Sequence, residues 1–173
     1  MEQLEEGQIV LCTVDKVVGT TVFVKIQDNE EGTITTSEIA PGRIRNLRAY
    51  VVPGKKIVCK ILSIKNGRVQ LSLRRVKQNE KKELLDKIKK EKTYNAILKT
   101  VLGEEKAGII IEKIIQEQSI FDFFEEIKEH PQNLEKLISK KEAEKIIQIL
   151  ESKKEKTKEK KKFSNFQINL LKE

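Results

Sequence analysis

The sequence predicts an α+β protein with two domains, a five-stranded β-barrel followed by an all-α helical domain. Residues 7–75 alternate between apolar and polar side chains, and turn residues interrupt them at short intervals, which is typical of short strands. From about residue 78 onward, apolar residues recur every three or four positions, which is typical of amphipathic helices. Hydrophobic residues make up 38% of the 173-residue chain, enough for two small cores.

The barrel is predicted from five segments, which are residues 8–17, 20–26, 33–39, 56–64 and 68–74. In the second segment, alternation places Val22, Val24 and Ile26 on one face and Phe23 and Lys25 on the other. Residues 28–32 read as a turn, and residues 66–67, an Asn-Gly pair, predict a two-residue hairpin turn. Five strands at this spacing favour a closed barrel, because closure leaves no exposed sheet edge.

The helical domain begins with a helix that Asn79 caps and that runs to about residue 92. A second apolar stripe covers residues 94–102, Gly103 and Gly108 interrupt it, and a further helix covers residues 109–118. Ser119 caps the next helix, and the sequence Ser-Lys-Lys-Glu from Ser139 forms a capping box before the last one. We therefore expect a barrel domain at 1–77, a helical domain at 78–152, and a lysine-rich linker with the start of a further domain or tail at 153–173.

The composition favours a binding protein with an acidic partner. The net charge is +8, and residues 51–100 hold 15 basic but only 4 acidic side chains. The alternative explanation of this charge is that the lysines lie on solvent-exposed helix faces and bind no partner. The sequence contains no P-loop, no glycine-rich dinucleotide turn and no Cys/His cluster, so no enzyme, cofactor or metal is expected. Cys12 and Cys59 are expected to be core thiols, and the lone His130 a surface or capping residue.

If the five-stranded barrel is of the oligonucleotide-binding (OB-fold) kind, its second and third strands form the usual ligand face. The candidate RNA contacts lie on that face and in cationic segments beyond it. Phe23 is a candidate platform for base stacking. The full set is Phe23, Lys25, Thr35, Arg43, Arg45, Arg48, Arg74 and Arg75. Arginine is the residue of choice here because its planar fork matches a phosphate group. Two alternatives remain open, that Phe23 packs under a loop and that the loop arginines Arg43, Arg45 and Arg48 pair with acidic N-terminal residues.

Residues 7–14, 22–25, 31–39, 54–58 and 69–75 together resemble an S1-type RNA-binding domain. More narrowly, Ser37-Glu38-Ile39 followed by Gly42-Arg43-Ile44-Arg45, and residues 71–76 followed by a lysine-rich helix, resemble the alpha subunit of archaeal and eukaryotic translation initiation factor 2. The order of barrel and helical domain is similar to that family as well. The resemblance is strong over about residues 5–102.

This resemblance implies an archaeal-type, cytoplasmic factor that works with beta and gamma subunits and brings initiator methionyl-tRNA to the small ribosomal subunit. It implies contacts with tRNA and mRNA by the first two domains and with the gamma subunit by a third α/β domain, which we expect to be missing from residues 1–173. It places Ala40 where eukaryotic members carry a phosphorylated serine, so that switch is expected to be absent. A free-standing ribosome-associated RNA-binding factor and a decoy of the kinase substrate are alternatives, and no membrane contact is expected.

Overall fold

A computed structural model describes residues 4–26, 30–42, 44 and 46–153. Its five strands are β1 (Ile9–Val18), β2 (Thr21–Ile26), β3 (Glu31–Thr35), β4 (Lys56–Lys65) and β5 (Arg68–Ser72). They close into a barrel in the order β1-β2-β3-β5-β4, in which β3 and β5 are parallel and all other neighbours are antiparallel. The predicted fold class, a five-stranded barrel followed by helices, is confirmed.

The barrel core consists of the inward side chains that the alternation predicts. Val22, Val24 and Ile26 of β2 are buried, whereas Phe23 is only half-buried and Lys25 is exposed. Cys12 and Cys59 are both 0% exposed and unpaired by a disulfide, which confirms that they are core thiols. Hydrogen bonding to Cys12 and burial raise the pKa of Cys59, so its thiol stays neutral in the core.

Two predicted strands end earlier than expected. The third strand was expected to continue to residue 39, but it ends at Thr35, and residues Thr36–Glu38 form a 3₁₀ turn. The fifth ends at Ser72 because the carbonyl of Glu38 accepts hydrogen bonds from the backbone N–H of Leu73 (2.9 Å) and Arg74 (3.0 Å). The turn after β3 therefore takes the backbone donors that would have prolonged β5.

The start of β3 also differs from the prediction, because Glu31 and Gly32 belong to the strand rather than to a turn. A Cβ atom on Gly32 would lie 2.5 Å from Cδ1 of the buried Leu71. Glycine at this position thus allows β3 and β5 to pair closely. Residues 27–29, which include the beginning of the predicted turn, lie outside the described residues.

Two local features set the register of the barrel. Asn66 and Gly67 have φ values of 50° and 72°, the left-handed conformation of a tight hairpin, which confirms the predicted turn between β4 and β5. In β1 the pairing with β2 shifts between Val14 and Lys16, so Asp15 is the extra residue of a β-bulge. This bulge reverses the alternation that the first half of β1 follows.

The helices are α1 (Gln78–Leu102), α2 (Glu104–Glu117), α3 (Ile120–Glu129), α4 (Gln132–Glu135) and α5 (residues 140–153). The first helix does not end near residue 92 but continues to Leu102, and Asn79 lies inside it rather than capping it. Gly108 lies within α2 instead of preceding it. Ser119 accepts a hydrogen bond from the Asp122 N–H at 3.1 Å, which confirms the predicted cap of α3.

The Glu142 half of the predicted capping box before α5 is present, since the Glu142 carboxylate accepts hydrogen bonds from the Ser139 N–H at 3.1 Å and from the Ser139 hydroxyl at 2.6 Å. His130 is exposed at the C-terminal end of α3, as expected of a surface or capping residue. No helix within the described ranges is both long and apolar enough to cross a membrane.

The core of the helical part is built around aromatic rings. Tyr94 stacks on Phe124 with ring centroids 4.4 Å apart, and Phe123 meets Phe124 edge-on at 5.8 Å. The Tyr94 hydroxyl donates to Glu125 at 3.0 Å and accepts from Lys128 at 3.1 Å, so the polar end of a buried ring is satisfied.

The chain divides into two compact units between Ile88 and Lys89. The first unit holds the barrel and the beginning of α1, where Lys60 of β4 forms an ion pair with Glu80 at 3.4 Å. The second unit holds the rest of α1 and the helices that follow it. The sequence-based boundary at residues 77 and 78 stays a prediction, and all but the first residue of the predicted linker and tail at 153–173 lies outside the described residues.

Candidate nucleic-acid interface

One line of outward-facing residues crosses all five strands of the barrel, and we call it the cross-strand row. The pairing places Lys16 of β1 opposite Phe23 of β2, and Phe23 opposite Thr33 of β3. Beyond Thr33, Gln70 of β5 and Ser63 of β4 continue the line, joined by a hydrogen bond of 3.2 Å from Ser63 Oγ to Gln70 Oε1. The row combines one cation, one aromatic ring and three hydrogen-bonding side chains.

Phe23 lies on the barrel's outer face, on the side opposite the core. Its ring lies 5.3 Å from Lys16 Nζ, a cation–π contact within one face of the sheet. The side chain is half-buried, so part of its surface remains open to solvent. A ring held beside a lysine offers a base a surface for stacking and its phosphate a counter-charge.

Lys25 and Thr35 lie on either side of the cross-strand row, and both are exposed. Lys25 pairs across the sheet with Thr13 and Glu31. The hydroxyl groups of Thr35 and Ser37 are 3.1 Å apart, at the point where β3 leaves the barrel. The two predicted contacts therefore share the face on which Phe23 lies.

Arg74 and Arg75 are brought together by one carboxylate, that of Glu38. Arg75 binds it through Nε (2.9 Å) and Nη2 (3.0 Å), and Arg74 through the same two atoms at 3.3 Å each. Their partner is therefore a residue of the turn after β3. One carboxylate facing two guanidinium groups leaves a net positive charge at this edge of the barrel.

The remaining predicted arginines are Arg43, Arg45 and Arg48, which follow the turn Thr36–Glu38 in the sequence. Arg48 is exposed in the 3₁₀ turn Leu47–Ala49, and its N–H donates to Asn46 Oδ1 at 3.1 Å. Ile44 and Leu47 pack against the barrel core, so this segment is attached to the barrel by its apolar residues. Arg43 and Arg45 lie outside the described residues.

Ala40 occupies the position where the family resemblance implies a phosphorylatable serine in eukaryotic members. Its side chain is 7% exposed and lies next to Ile39, which is 2% exposed. The methyl group here contributes to the barrel's buried surface and carries no hydroxyl.

The Glu38 carboxylate is ionised far below neutral pH. The hydrogen bonds from Arg75, supported by the charge of Arg74, lower its pKa from 4.5 to about 2, against the opposing effect of partial burial. Its side chain is 13% exposed, whereas those of Arg74 and Arg75 are 37% and 54% exposed. The ion pair therefore stabilises the junction of β3 and β5 whenever Glu38 is charged.

We expect this contribution to be present above about pH 4.5 and to disappear as the pH falls towards 2. Because water screens the half-exposed guanidinium groups, the contribution is well below what the pKa shift of Glu38 alone would imply. The measurement is urea unfolding of the wild type and Glu38→Gln between those pH values and pH 7. The stability difference between the two should shrink on acidification. Glu31→Gln, which alters an exposed carboxylate on β3, serves as the control, and a difference that is independent of pH would contradict the expectation.

Four contributors to this surface were missed in the sequence, namely Lys16, Ser63, Gln70 and Glu38. Strict alternation from Val10, Cys12 and Val14 would point Lys16 into the core, and a lysine at an inward position is the available signal of a bulge. Gln70 is outward by alternation, but its place beside Thr33 depends on the parallel pairing of β3 and β5. Within the described residues, no group of three His, Cys, Asp or Glu side chains is arranged to hold a metal ion.

The closed barrel with its cationic outer face defines a class, the OB-fold proteins, here with a helical domain appended. The chain is 34% identical over 135 residues to translation initiation factor 2 subunit alpha of Methanopyrus kandleri. That makes it a protein like the alpha subunit of archaeal translation initiation factor 2. The match covers 70% of this chain and 49% of the relative.

The subunit of the same name from Pyrococcus furiosus is 35% identical over 111 residues, which are 62% of this chain and 40% of the relative. The chain thus spans about half the length of the curated relatives it matches.

Solved structures agree on the fold. The intact alpha subunit of aIF2 from Pyrococcus abyssi superposes with a TM-score of 0.68 at 25% identity, covering 86% of this chain and 62% of that chain. A structure of an a/eIF2alpha–aDim2p–rRNA complex from Pyrococcus horikoshii OT3 contains a chain with a TM-score of 0.67 at 24% identity, covering 87% of this chain and 97% of that chain. No protein-family model matches the chain.

Proposed function

We propose that this protein acts as an RNA-binding alpha subunit of an archaeal-type translation initiation factor 2, within the complex that delivers initiator methionyl-tRNA to the small ribosomal subunit. The observation that carries the proposal is the similarity over 135 residues to chains named translation initiation factor 2 subunit alpha. In this role the protein acts by binding, in the cytoplasm, without catalysis and without a cofactor.

The RNA contacts in this proposal are made by the barrel. The cross-strand row offers a stacking surface and hydrogen-bonding groups, and the arginines beside it supply charge for phosphates. The alpha subunit of P. horikoshii was solved in a complex with rRNA, which supports RNA as the ligand class. Contacts of this kind give affinity that depends strongly on salt and little on base sequence.

The gamma subunit remains a proposed partner, and we assign its contact to the part of the relatives that this chain does not match. A free-standing ribosome-associated factor is not favoured, because the relatives carry the name of the alpha subunit. Sedimentation of this chain with small ribosomal subunits, with no beta or gamma subunit present, separates the two. A free-standing factor predicts that the chain sediments with the subunits under these conditions, whereas the alpha-subunit role predicts that most of it stays in the supernatant.

A substitution of Phe23 tests directly whether the outer face of the barrel binds RNA by base stacking. Phe23→Leu keeps an apolar side chain beside Lys16 but removes the aromatic face, so we expect affinity for initiator tRNA to fall by about 5- to 100-fold. Fluorescence anisotropy titration measures the affinity, and thermal unfolding checks that the barrel is intact. Val18→Ala is the control, since Val18 is an apolar residue 58% exposed on β1. Equal affinity of Phe23→Leu and the wild type would remove the stacking role.

A further inference from the structure

Glu38 binds two arginines, and each arginine donates to it through the same two nitrogen atoms, Nε and Nη2. Each guanidinium donates through Nε to Oε2 and through Nη2 to Oε1, so each carboxylate oxygen accepts one hydrogen bond from Arg74 and one from Arg75. A bidentate contact fixes the plane of a guanidinium as well as its position. Both planes are therefore set by a single residue of the turn after β3.

This arrangement leaves one edge of each guanidinium unused by Glu38. The five N–H donors of an arginine lie in a fixed fork, and the contact with Glu38 occupies the edge formed by Nε and Nη2. The other edge consists of Nη1 and the second N–H of Nη2, and these donors make none of the four hydrogen bonds with Glu38. The arginines are 37% and 54% exposed and the carboxylate only 13%, so the cationic groups are the solvent-accessible part of the cluster.

Glu38 is itself held in place by the backbone. Its carbonyl accepts hydrogen bonds from the N–H groups of Leu73 and Arg74 and from Ser72 Oγ at 3.3 Å. The residue that orients the two arginines is thus fixed to the strand end that carries them. Such preorganisation reduces the side-chain entropy that the arginines lose when a ligand binds.

We propose that Glu38 is a positioning residue that holds Arg74 and Arg75 as a paired site for one phosphate group of the bound RNA. The inference rests on the proposed RNA-binding function and adds to it the residue that prepares the site. Glu38 does not touch the RNA in this arrangement. It orients the two forks so that both remaining edges are available to the same anion.

The direction in which one substitution changes RNA affinity distinguishes a positioning role of Glu38 from a purely electrostatic one. Glu38→Gln removes a negative charge beside the phosphate site, so charge alone predicts tighter RNA binding. Positioning predicts weaker binding, because a carboxamide offers one oxygen acceptor and cannot accept both bidentate contacts. The two explanations therefore give opposite results in a single titration.

The test uses the full chain and a fluorescein-labelled single-stranded RNA of about 12 nucleotides, titrated by anisotropy over a range of KCl concentrations. We expect Glu38→Gln to weaken binding by about 3- to 10-fold. Arg75→Lys, which keeps the charge but loses the fork, should weaken it to a similar degree. Glu31→Gln, with the same charge change on an exposed residue of β3, should bind as tightly as the wild type or more tightly.

Thermal unfolding of each variant accompanies the titrations, which are run well below the lowest melting temperature. Unchanged or tighter binding by a folded Glu38→Gln variant overturns the positioning role. If that variant does not fold, Arg75→Lys decides, since unchanged affinity overturns the paired site and a loss with a normal melting temperature supports it. Failure of the wild type to bind the RNA even at low salt overturns the proposed function, and this inference with it.

Discussion

Reversing the charge of Arg43 and Arg45 together is expected to weaken initiator tRNA binding by about 100-fold or more at moderate salt. Each arginine offers a bidentate, charge-assisted contact to a phosphate, and glutamate at the same position adds repulsion. Ile44, which separates the two arginines in the sequence, packs against the barrel core. Filter-binding titration of Arg43→Glu, Arg45→Glu against the wild type measures the effect.

A matched double variant shows whether this loss is local. Lys140→Glu, Lys141→Glu changes the net charge by the same amount on exposed residues at the start of α5, where acidic side chains suit a helix N-terminus. We expect it to lower affinity much less, mainly through long-range charge. Equal losses in both double variants would mean that net charge, and not the arginine segment, drives binding. Affinity that is unchanged in the arginine variant would remove these residues from the interface.

The largest expected effect on stability comes from Phe124→Ala in the helical unit. Phe124 is 0% exposed, stacks on Tyr94 and meets Phe123 edge-on. Truncation leaves a cavity that neighbouring helices cannot fill, so we expect a loss of about 3–5 kcal/mol in the free energy of unfolding. For a unit of this size, that corresponds to a fall in melting temperature of at least about 10 °C.

Circular dichroism at 222 nm, which reports mainly on helices, follows the unfolding. Phe121→Ala is the matched control, because Phe121 is only partly buried and lies beside Lys90 with 5.1 Å between Nζ and the ring centroid. We expect it to cost clearly less than Phe124→Ala. Similar losses for both phenylalanines would contradict the view that the Tyr94–Phe124 stack forms the centre of this core.

Much of the barrel follows from alternation and turn chemistry. The buried face of β2, the core cysteines and the hairpin at Asn66 and Gly67 depend on neighbouring residues in the chain, so the sequence predicts them correctly. The ends of β3 and β5 were wrong because Glu38 lies 34 positions before Ser72, and its carbonyl captures the backbone donors of the residues that follow that strand. No local pattern reveals such a contact.

In the helical domain, too, the features that depend on local sequence were predicted and those that depend on packing were not. The caps at Ser119 and Ser139 were predicted because a cap involves residues only three positions apart. The length of α1 and the place of Gly108 inside α2 were not predicted, since packing outweighs the modest helix penalty of a glycine or a polar stretch.

What the sequence determined by itself is the kind of surface this protein carries, with Phe23, Lys25 and the arginines on a barrel whose middle segment is electropositive. What only the tertiary structure decided is how those residues are combined. A bulge at Asp15 places Lys16 beside Phe23, and a turn after β3 places one carboxylate between Arg74 and Arg75. The physical reason is the separation in sequence between the interacting residues. Alternation and caps act over a few residues, whereas ion pairs and strand register join residues that are far apart in the chain.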